Sequence, residues 1–275
     1  RRRRQAEQID QVWEKVVRGR RACDQSLEPR ELRRCVVLGG EANELASARK
    51  LVRGRRELQE ILAPTQFENL TLLPADMSYR NFDVHMSAEK HPTRRLMMMA
   101  RPLQDDCDLL LLDCPPGISL LSENVLRAAD AIVVPTLPAP LSLRMLEQLR
   151  DFVAAEGWSD LAILPFFSMV DRRKRLHREV VETLPDGRDD VARSAIPAAT
   201  EVELMGVSRV PVVVDKPRSR GARAYAALWT EVRERLAEVR MEELDASAAA
   251  IGYEAVHLLG YHDSGMPDTE TNERA

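Results

Sequence analysis

The chain has 275 residues, of which 44% are hydrophobic and 31% are charged, and its formal net charge at pH 7 is −4. This length accommodates one large α/β domain or two small ones. The negative net charge excludes a general electrostatic affinity for nucleic acid, so any DNA contact must come from a local basic patch. The four cysteines lack metal-ligand spacing, and no apolar run is long enough to cross a bilayer, so we expect a cytoplasmic protein with reduced thiols.

The first fifty residues carry more basic than acidic side chains. Apolar residues recur at helical spacing through Val12-Trp13 and Val16-Val17, which predicts a basic amphipathic helix. Two interpretations stay open for it: a solvated helix docked by Trp13, or a contact with nucleic acid or an acidic membrane. Residues 35–38, followed by Gly39-Gly40, are a candidate strand that runs into a glycine turn.

Three further elements precede the centre of the chain. Residues 45–62 have the composition and periodicity of a helix that ends before Pro64. Residues 67–75 contain a strand. Residues 93–103 predict a helix that packs on the sheet, with its methionines filling the core.

The central stretch predicts a strand–helix–strand unit. Residues 109–112 are all leucine and are closed by Asp113 and then Cys-Pro-Pro-Gly, as expected of a strand buried on both faces. A helix over 119–129 and a second buried strand over 131–135 follow. Because ligands of open α/β sheets bind at the carboxyl ends of strands, Asp113 is the candidate site residue here.

Further elements continue the pattern. We predict a helix over 142–155 capped by Ser142, a strand over 163–170, and a strand that ends at Ile196-Pro197. A dense basic run over 171–178 leads into a helix through residue 184. A second basic group, Lys216, Arg218, Arg220 and Arg223, precedes a last helix that runs to about residue 239.

The central stretch resembles the Walker B region of the ParA/MinD family of deviant P-loop ATPases. The resemblance continues through Leu70-Thr-Leu-Leu-Pro-Ala-Asp76, the strand over 163–171, Ile196-Pro197 and the segment 212–225, and covers about residues 52–240. It implies an α/β fold with a mostly parallel sheet and helices on both faces. We therefore divide the chain into a basic helical segment (1–50), a ParA-like domain (51–240) and an unrelated tail (241–275).

The resemblance also implies a function. Asp113 would hold the magnesium of bound ATP through water, and ATP would drive a homodimer switch in a cytoplasmic, nucleoid-associated protein that a ParB-like partner stimulates. Such proteins partition or position DNA or protein cargo. Arg173 matches the family's basic residue for non-specific DNA; a solvated charged face is the alternative. The candidate DNA-binding residues are Arg172, Arg173, Arg175, Arg218 and Arg220.

One family feature is missing. Nothing in residues 1–60 supplies the Gly-Lys-[Ser/Thr] whose backbone N–H groups and lysine hold the phosphates. Gly39-Gly40-Glu41 places a carboxylate where a phosphate requires a cation. ATPase activity of this chain is therefore left open, and the alternative is a non-catalytic ParA-like adaptor or a truncated product without the phosphate loop.

The tail resembles an internal piece of the PIG-L/LmbE family, close to the mycothiol-conjugate amidases. The piece covers residues 242–250 and 256–266. That family binds zinc through an early His-Pro-Asp-Asp motif and a later histidine, and the tail lacks both. His262 and Asp263 supply two ligands where a catalytic zinc needs three, so we expect a fused or misjoined fragment without a zinc site.

Overall fold

The structure, a computed structural model, describes residues 14–18, 35–38, 48–73, 82–105, 107, 109–113 and 119–251. The strands are β1 (Glu14–Arg18), β2 (Cys35–Leu38), β3 (Ala63–Pro64), β4 (Leu70–Leu73), β5 (Leu109–Asp113), β6 (Ala131–Thr136), β7 (Ala162–Val170) and β8 (Ala195–Pro197). In the described residues they form one eight-stranded sheet in the order β3-β4-β2-β5-β1-β6-β7-β8. Only β1 and the edge strand β3 run against the others, so the predicted α/β fold with a mostly parallel sheet is confirmed.

The helices of the described residues cover both faces of this sheet. They are α1 (Ala48–Val52), α2 (Phe82–Ser87), α3 (Arg95–Ala100), α4 (Leu120–Ala128), α5 (Pro140–Ala155), α6 (Arg175–Thr183), α7 (Thr200–Glu203), α8 (Met205–Ser208), α9 (Val212–Asp215) and α10 (Arg220–Ile251). Short 3-10 turns lie at Gln59–Ile61, Pro92–Arg94, Arg101–Asp105 and Pro185–Gly187.

Strand β5 is buried on both faces, as its run of leucines predicts. Leu110 and Leu112 belong to a cluster with buried side chains of α3 and α4. Leu109 belongs to another cluster, with Leu228 and Val232 of α10. Because successive side chains of a strand point to opposite faces, these two clusters lie on opposite sides of the sheet. Burying one leucine contributes about 1.5–3 kcal/mol, so this strand anchors the carboxylate at its end.

The buried Asn124 fixes α4 to the elements before it. Its Oδ1 accepts the Leu96 N–H at 3.1 Å, and its Nδ2 donates to the carbonyls of Pro92 at 2.7 Å and Leu120 at 2.8 Å. All three partners are backbone groups that would otherwise be costly to bury. The amide therefore links the start of α3 to α4, the helix that follows Asp113.

The prediction of a helix in the N-terminal segment is wrong where the structure describes it. Residues 14–18 form β1, which pairs antiparallel with β5 on one side and with β6 on the other. The backbone groups of two buried strands need partners, and β1 supplies them on both sides. Tertiary pairing thus overrides the helical spacing of Val16-Val17. The rest of residues 1–34 lies outside the described residues.

Helix boundaries account for the other differences. The helix predicted over 45–62 ends at Val52, and Gly54 follows it with φ +65°. Helix α5 begins at Pro140, with Ala139 as its N-cap, so Ser142 lies inside the helix and does not cap it. Proline suits the first turn of a helix because its missing N–H has no partner there in any case.

The last helix runs further than predicted. Helix α10 continues without a break through Ile251, past the proposed domain boundary at residue 241. Residues 252–275, which include His262 and Asp263, lie outside the described residues. In the part of the chain that is described, no helix is long and apolar enough to cross a membrane.

Candidate functional site

Asp113 lies exposed at the carboxyl end of β5, the position that the sequence predicts. The neighbouring β2 is parallel, with Leu38 opposite Leu112, while Glu14 of the antiparallel β1 is the register partner of Asp113. Within the described residues no cluster of three or more His, Cys, Asp or Glu side chains could hold a metal ion. Magnesium in nucleotide sites commonly takes one or two carboxylates together with phosphates and water. An exposed carboxylate at this edge therefore fits the magnesium end of such a site.

The described residues contain no Gly-Lys-Ser or Gly-Lys-Thr segment, so they include no phosphate-binding loop of that kind. Gly39-Gly40 and residues 114–118 lie outside them. Two of the first N–H groups of α4 are already used, since Ser119 Oγ accepts from Ser122 at 3.2 Å and Asp83 Oδ1 accepts from Leu121 at 2.7 Å. An anion bound near Asp113 would have to use groups other than these.

The basic run begins at an irregular strand end. Met169 adopts a left-handed conformation with φ +54°, and the pairing of β7 with β8 shifts register between Phe167 and Val170. Such irregularities bend a strand and redirect the side chains that follow it. For a residue other than glycine this conformation is unfavourable, and strained positions of this kind cluster at functional sites.

Helix α6 holds the turn formed by residues 171–174, which we call the basic turn. The buried His177 accepts the Asp171 N–H at its Nδ1, at 3.1 Å. Arg178 donates to the carbonyl of Arg172 at 3.2 Å. Burial, with Lys174 adding to it, lowers the pKa of His177, and this favours the neutral ring that the first hydrogen bond requires.

Two of the predicted DNA-binding arginines already have carboxylate partners. Arg173 donates from its Nε and Nη2 to the two carboxylate oxygens of Asp171, at 3.0 Å each. Together with the Arg173 N–H, this guanidinium lowers the pKa of Asp171 to about 2. Arg175 pairs with Glu179 at 2.6 Å. The positive charges of both arginines are therefore partly balanced within the chain.

Three other arginines line one open cleft of about 210 Å³. Arg172 comes from the basic turn, and Arg220 and Arg223 come from the first turn of α10. The rest of the wall consists of Val170 at the end of β7, Ala195 and Pro197 of β8, and Ala224 of α10. All three arginines are exposed. In the described part of the chain, none of them has a carboxylate partner within 4.0 Å. Arg218 is exposed but does not line this cleft.

The cleft and Asp113 are separate. Strands β1 and β6 lie between β5 and β7, so three inter-strand spacings of about 4.8 Å separate them by at least about 14 Å. The sequence prediction named Arg172 and Arg220 as candidate DNA-binding residues and named Arg223 only as a member of the second basic group. The spacing of Arg220 and Arg223 was the available signal, because residues three apart on a helix are neighbours.

Comparison with known proteins places these features in context. A family model described as an AAA domain matches residues 34–156. The sporulation initiation inhibitor protein Soj of Bacillus subtilis is 29% identical over 178 residues, which are 63% of this chain and 70% of that protein. The chromosome partitioning protein ParA of Myxococcus xanthus is 28% identical over 185 residues, which are 66% of this chain and 65% of that protein.

Solved structures share the fold. The cell division ATPase MinD of Pyrococcus furiosus superposes with a TM-score of 0.59 at 20% identity, over 79% of this chain and 96% of MinD. A cobyrinic acid a,c-diamide synthase from Mycobacterium smegmatis, with a bound ATP analog and magnesium, superposes with a TM-score of 0.59 at 21% identity. The superposition covers 78% of this chain and 86% of that chain.

These similarities do not support the resemblance of the C-terminal piece to the PIG-L/LmbE family. They do support the resemblance that the central stretch carries. The chain is similar in sequence to Soj and ParA proteins over about two thirds of its length, and it has the fold of MinD.

Proposed function

We propose that the chain is a ParA-like positioning protein of the ParA/MinD family, which binds ATP with magnesium at the carboxyl end of β5. The observation that carries this proposal is the exposed Asp113 at the tip of a doubly buried parallel strand. The similarity to a chromosome partitioning protein supports a role in partitioning or positioning. In this proposal Asp113 contributes one ligand position to magnesium, through water, and the nucleotide supplies phosphate oxygens.

Nucleotide binding would favour a homodimer, and hydrolysis would remove the contact that stabilises it. A ParB-like partner would accelerate that step. The basic surface formed by Arg172, Arg173, Arg175, Arg218 and Arg220 would contact DNA through its phosphates, without reading sequence. Strands β1 and β6 separate Asp113 from the end of β7, where the basic turn begins.

One observation favours a second candidate, a ParA-like adaptor that does not hydrolyse ATP. Strand β1 lies between β5 and β6 but runs antiparallel to both, with Arg18 opposite Leu109. Strand β1 therefore ends, at Arg18, at the edge of the sheet away from Asp113. A phosphate loop directly after β1 would begin at the wrong edge to meet a nucleotide there.

Binding of a fluorescent ATP analogue with magnesium tests the two candidates. We expect micromolar binding by the wild-type chain and a loss of at least about tenfold in Asp113→Ala, since one hydrogen bond to a charged group contributes about 1.5–3 kcal/mol. Asp151→Ala, at an exposed position of α5, is the matched control and should bind normally. If the folded wild-type chain binds no nucleotide, the ATP-dependent switch is wrong and the adaptor takes its place.

A further inference from the structure

We propose that Arg172, Arg220 and Arg223 form a seat for a single phosphate group, with Arg223 as a binding residue. The inference relies on the proposed DNA binding only for the source of that group, a phosphate of the DNA backbone. It differs from a diffuse basic surface because three side chains from two elements would contact the same anion.

The size of the cleft suits a small anion. Its volume of about 210 Å³ corresponds to roughly seven water molecules at about 30 Å³ each. Sites for drug-sized or cofactor-sized ligands occupy about 300–1,000 Å³. A tetrahedral oxyanion fits this space.

The charge of the cleft selects the same ligand. Three guanidinium groups that share a cleft repel one another, and in the described residues no carboxylate within 4.0 Å offsets that repulsion. The planar fork of arginine matches the oxygens of a phosphate in pairs. The amino-terminal end of the long helix α10 adds a favourable dipole, although Ser219 Oγ already accepts the Ala222 N–H at 3.1 Å.

The arginines around the cleft are less suited to this role. Arg173 would have to give up its paired hydrogen bonds to Asp171, and Arg175 its bond to Glu179. Breaking such pairs offsets part of what a phosphate contact gains. We therefore assign the main phosphate contact to Arg172. The sequence analysis favours Arg173 for this contact.

The experiment measures binding of the full chain to a short fluorescent DNA duplex by anisotropy, at low salt. The variants are Arg172→Gln, Arg223→Gln and the double variant. Arg144→Gln, which removes one exposed arginine of α5 outside the cleft, is the matched control. We expect each cleft variant to weaken binding by about tenfold and the control to change it by less than about twofold. Circular dichroism melting verifies that every variant is folded.

The double variant decides whether one phosphate is shared. If both arginines hold the same phosphate, the double variant should lose clearly less than the product of the two single losses. If the loss of affinity in the double variant equals the product of the two single losses, the shared phosphate seat is wrong. The proposal of non-specific DNA binding would not be affected by that result. An unchanged affinity in Arg223→Gln would also overturn it.

Competition by inorganic phosphate for the DNA-bound chain is the second part of the experiment. Phosphate should displace DNA from the wild-type chain more effectively than chloride at equal ionic strength, and this advantage should disappear in Arg223→Gln. Phosphate binding without DNA binding would support the seat and overturn the proposed DNA contact. If the wild-type chain binds neither probe, both proposals are wrong.

Discussion

His177 is one of the residues that hold the conformation of the basic turn. It is 8% exposed, and its Nδ1 is the acceptor for the Asp171 N–H at 3.1 Å. Only a neutral imidazole can accept there. Desolvation by burial is the main cause that lowers its pKa, with the positive charge of Lys174 second, while Asp171 acts in the opposite direction.

This environment predicts a pH dependence of stability. Because the pKa of His177 is lower in the folded state than in the unfolded state, the unfolded chain takes up the proton first as the pH falls below about 6.5. The free energy of unfolding should therefore be larger at pH 7.5 than at pH 5.5. Asp171, whose pKa is lowered from 3.8 to about 2, makes a contribution that is lost between about pH 5 and pH 2, below this range. Urea unfolding at the two pH values measures the difference.

The control for this prediction is His177→Asn, which places an amide oxygen near the position of Nδ1 but does not titrate. This variant should lose part of the difference between the two pH values. His91→Asn, at an exposed histidine, should keep it. The assignment to His177 is wrong if its asparagine variant shows the full wild-type difference.

At the scale of elements, the contact between α7 and the start of α10 depends on a glycine. A Cβ on Gly221 would lie 2.7 Å from Val202 Cγ2 and 3.5 Å from Glu201 Cγ. Val202 is a short β-branched side chain with little freedom to move aside. Gly221 therefore permits close packing next to Arg220, one of the cleft arginines.

We predict that Gly221→Ala lowers the free energy of unfolding by about 1–3 kcal/mol, because the overpacked contact outweighs the helix propensity that alanine gains. Gly206→Ala, where a Cβ meets nothing within 4 Å, should show no such loss. The double variant Gly221→Ala with Val202→Ala should be less destabilised than the sum of the single variants, since the clashing methyl is removed. Additive losses in chemical unfolding would contradict this packing explanation.

At the scale of the whole molecule, β1 completes the sheet. It pairs with both β5 and β6 and places Glu14 opposite Asp113. Directly opposed residues of an antiparallel pair have Cα atoms about 4.5–5.5 Å apart, which a disulfide can bridge. Arg18 lies four residues further along and therefore about 13 Å away from Glu14.

The direction of β1 can thus be tested by crosslinking. In a chain whose native cysteines are replaced by alanine, Glu14→Cys with Asp113→Cys should form an intramolecular disulfide on mild oxidation. Arg18→Cys with Asp113→Cys should not. The reverse result, measured by the mobility shift of unreduced samples, would mean that β1 runs parallel to β5. A phosphate loop after β1 would then lie at the edge of Asp113.

The sequence by itself determined the elements whose pattern is strong and local. The all-leucine run before Asp113, the buried strand after α4 and the amphipathic start of α10 each predict their structure, because burial on one or both faces constrains every position. It also determined that Asp113 lies at a carboxyl strand end, since a strand closed by Cys-Pro-Pro-Gly must stop there.

Only the tertiary structure decided the rest. Glu14–Arg18 is a strand because two neighbouring strands need hydrogen-bond partners, and no local pattern in residues 1–20 contains that information. The cleft is likewise lined by Arg172 together with Arg220 and Arg223, which lie far from Arg172 in the chain. These three residues come together where β7 and β8 end beside α10. A one-dimensional pattern counts charges, whereas the fold determines which of them are balanced by neighbours and which line the same cleft.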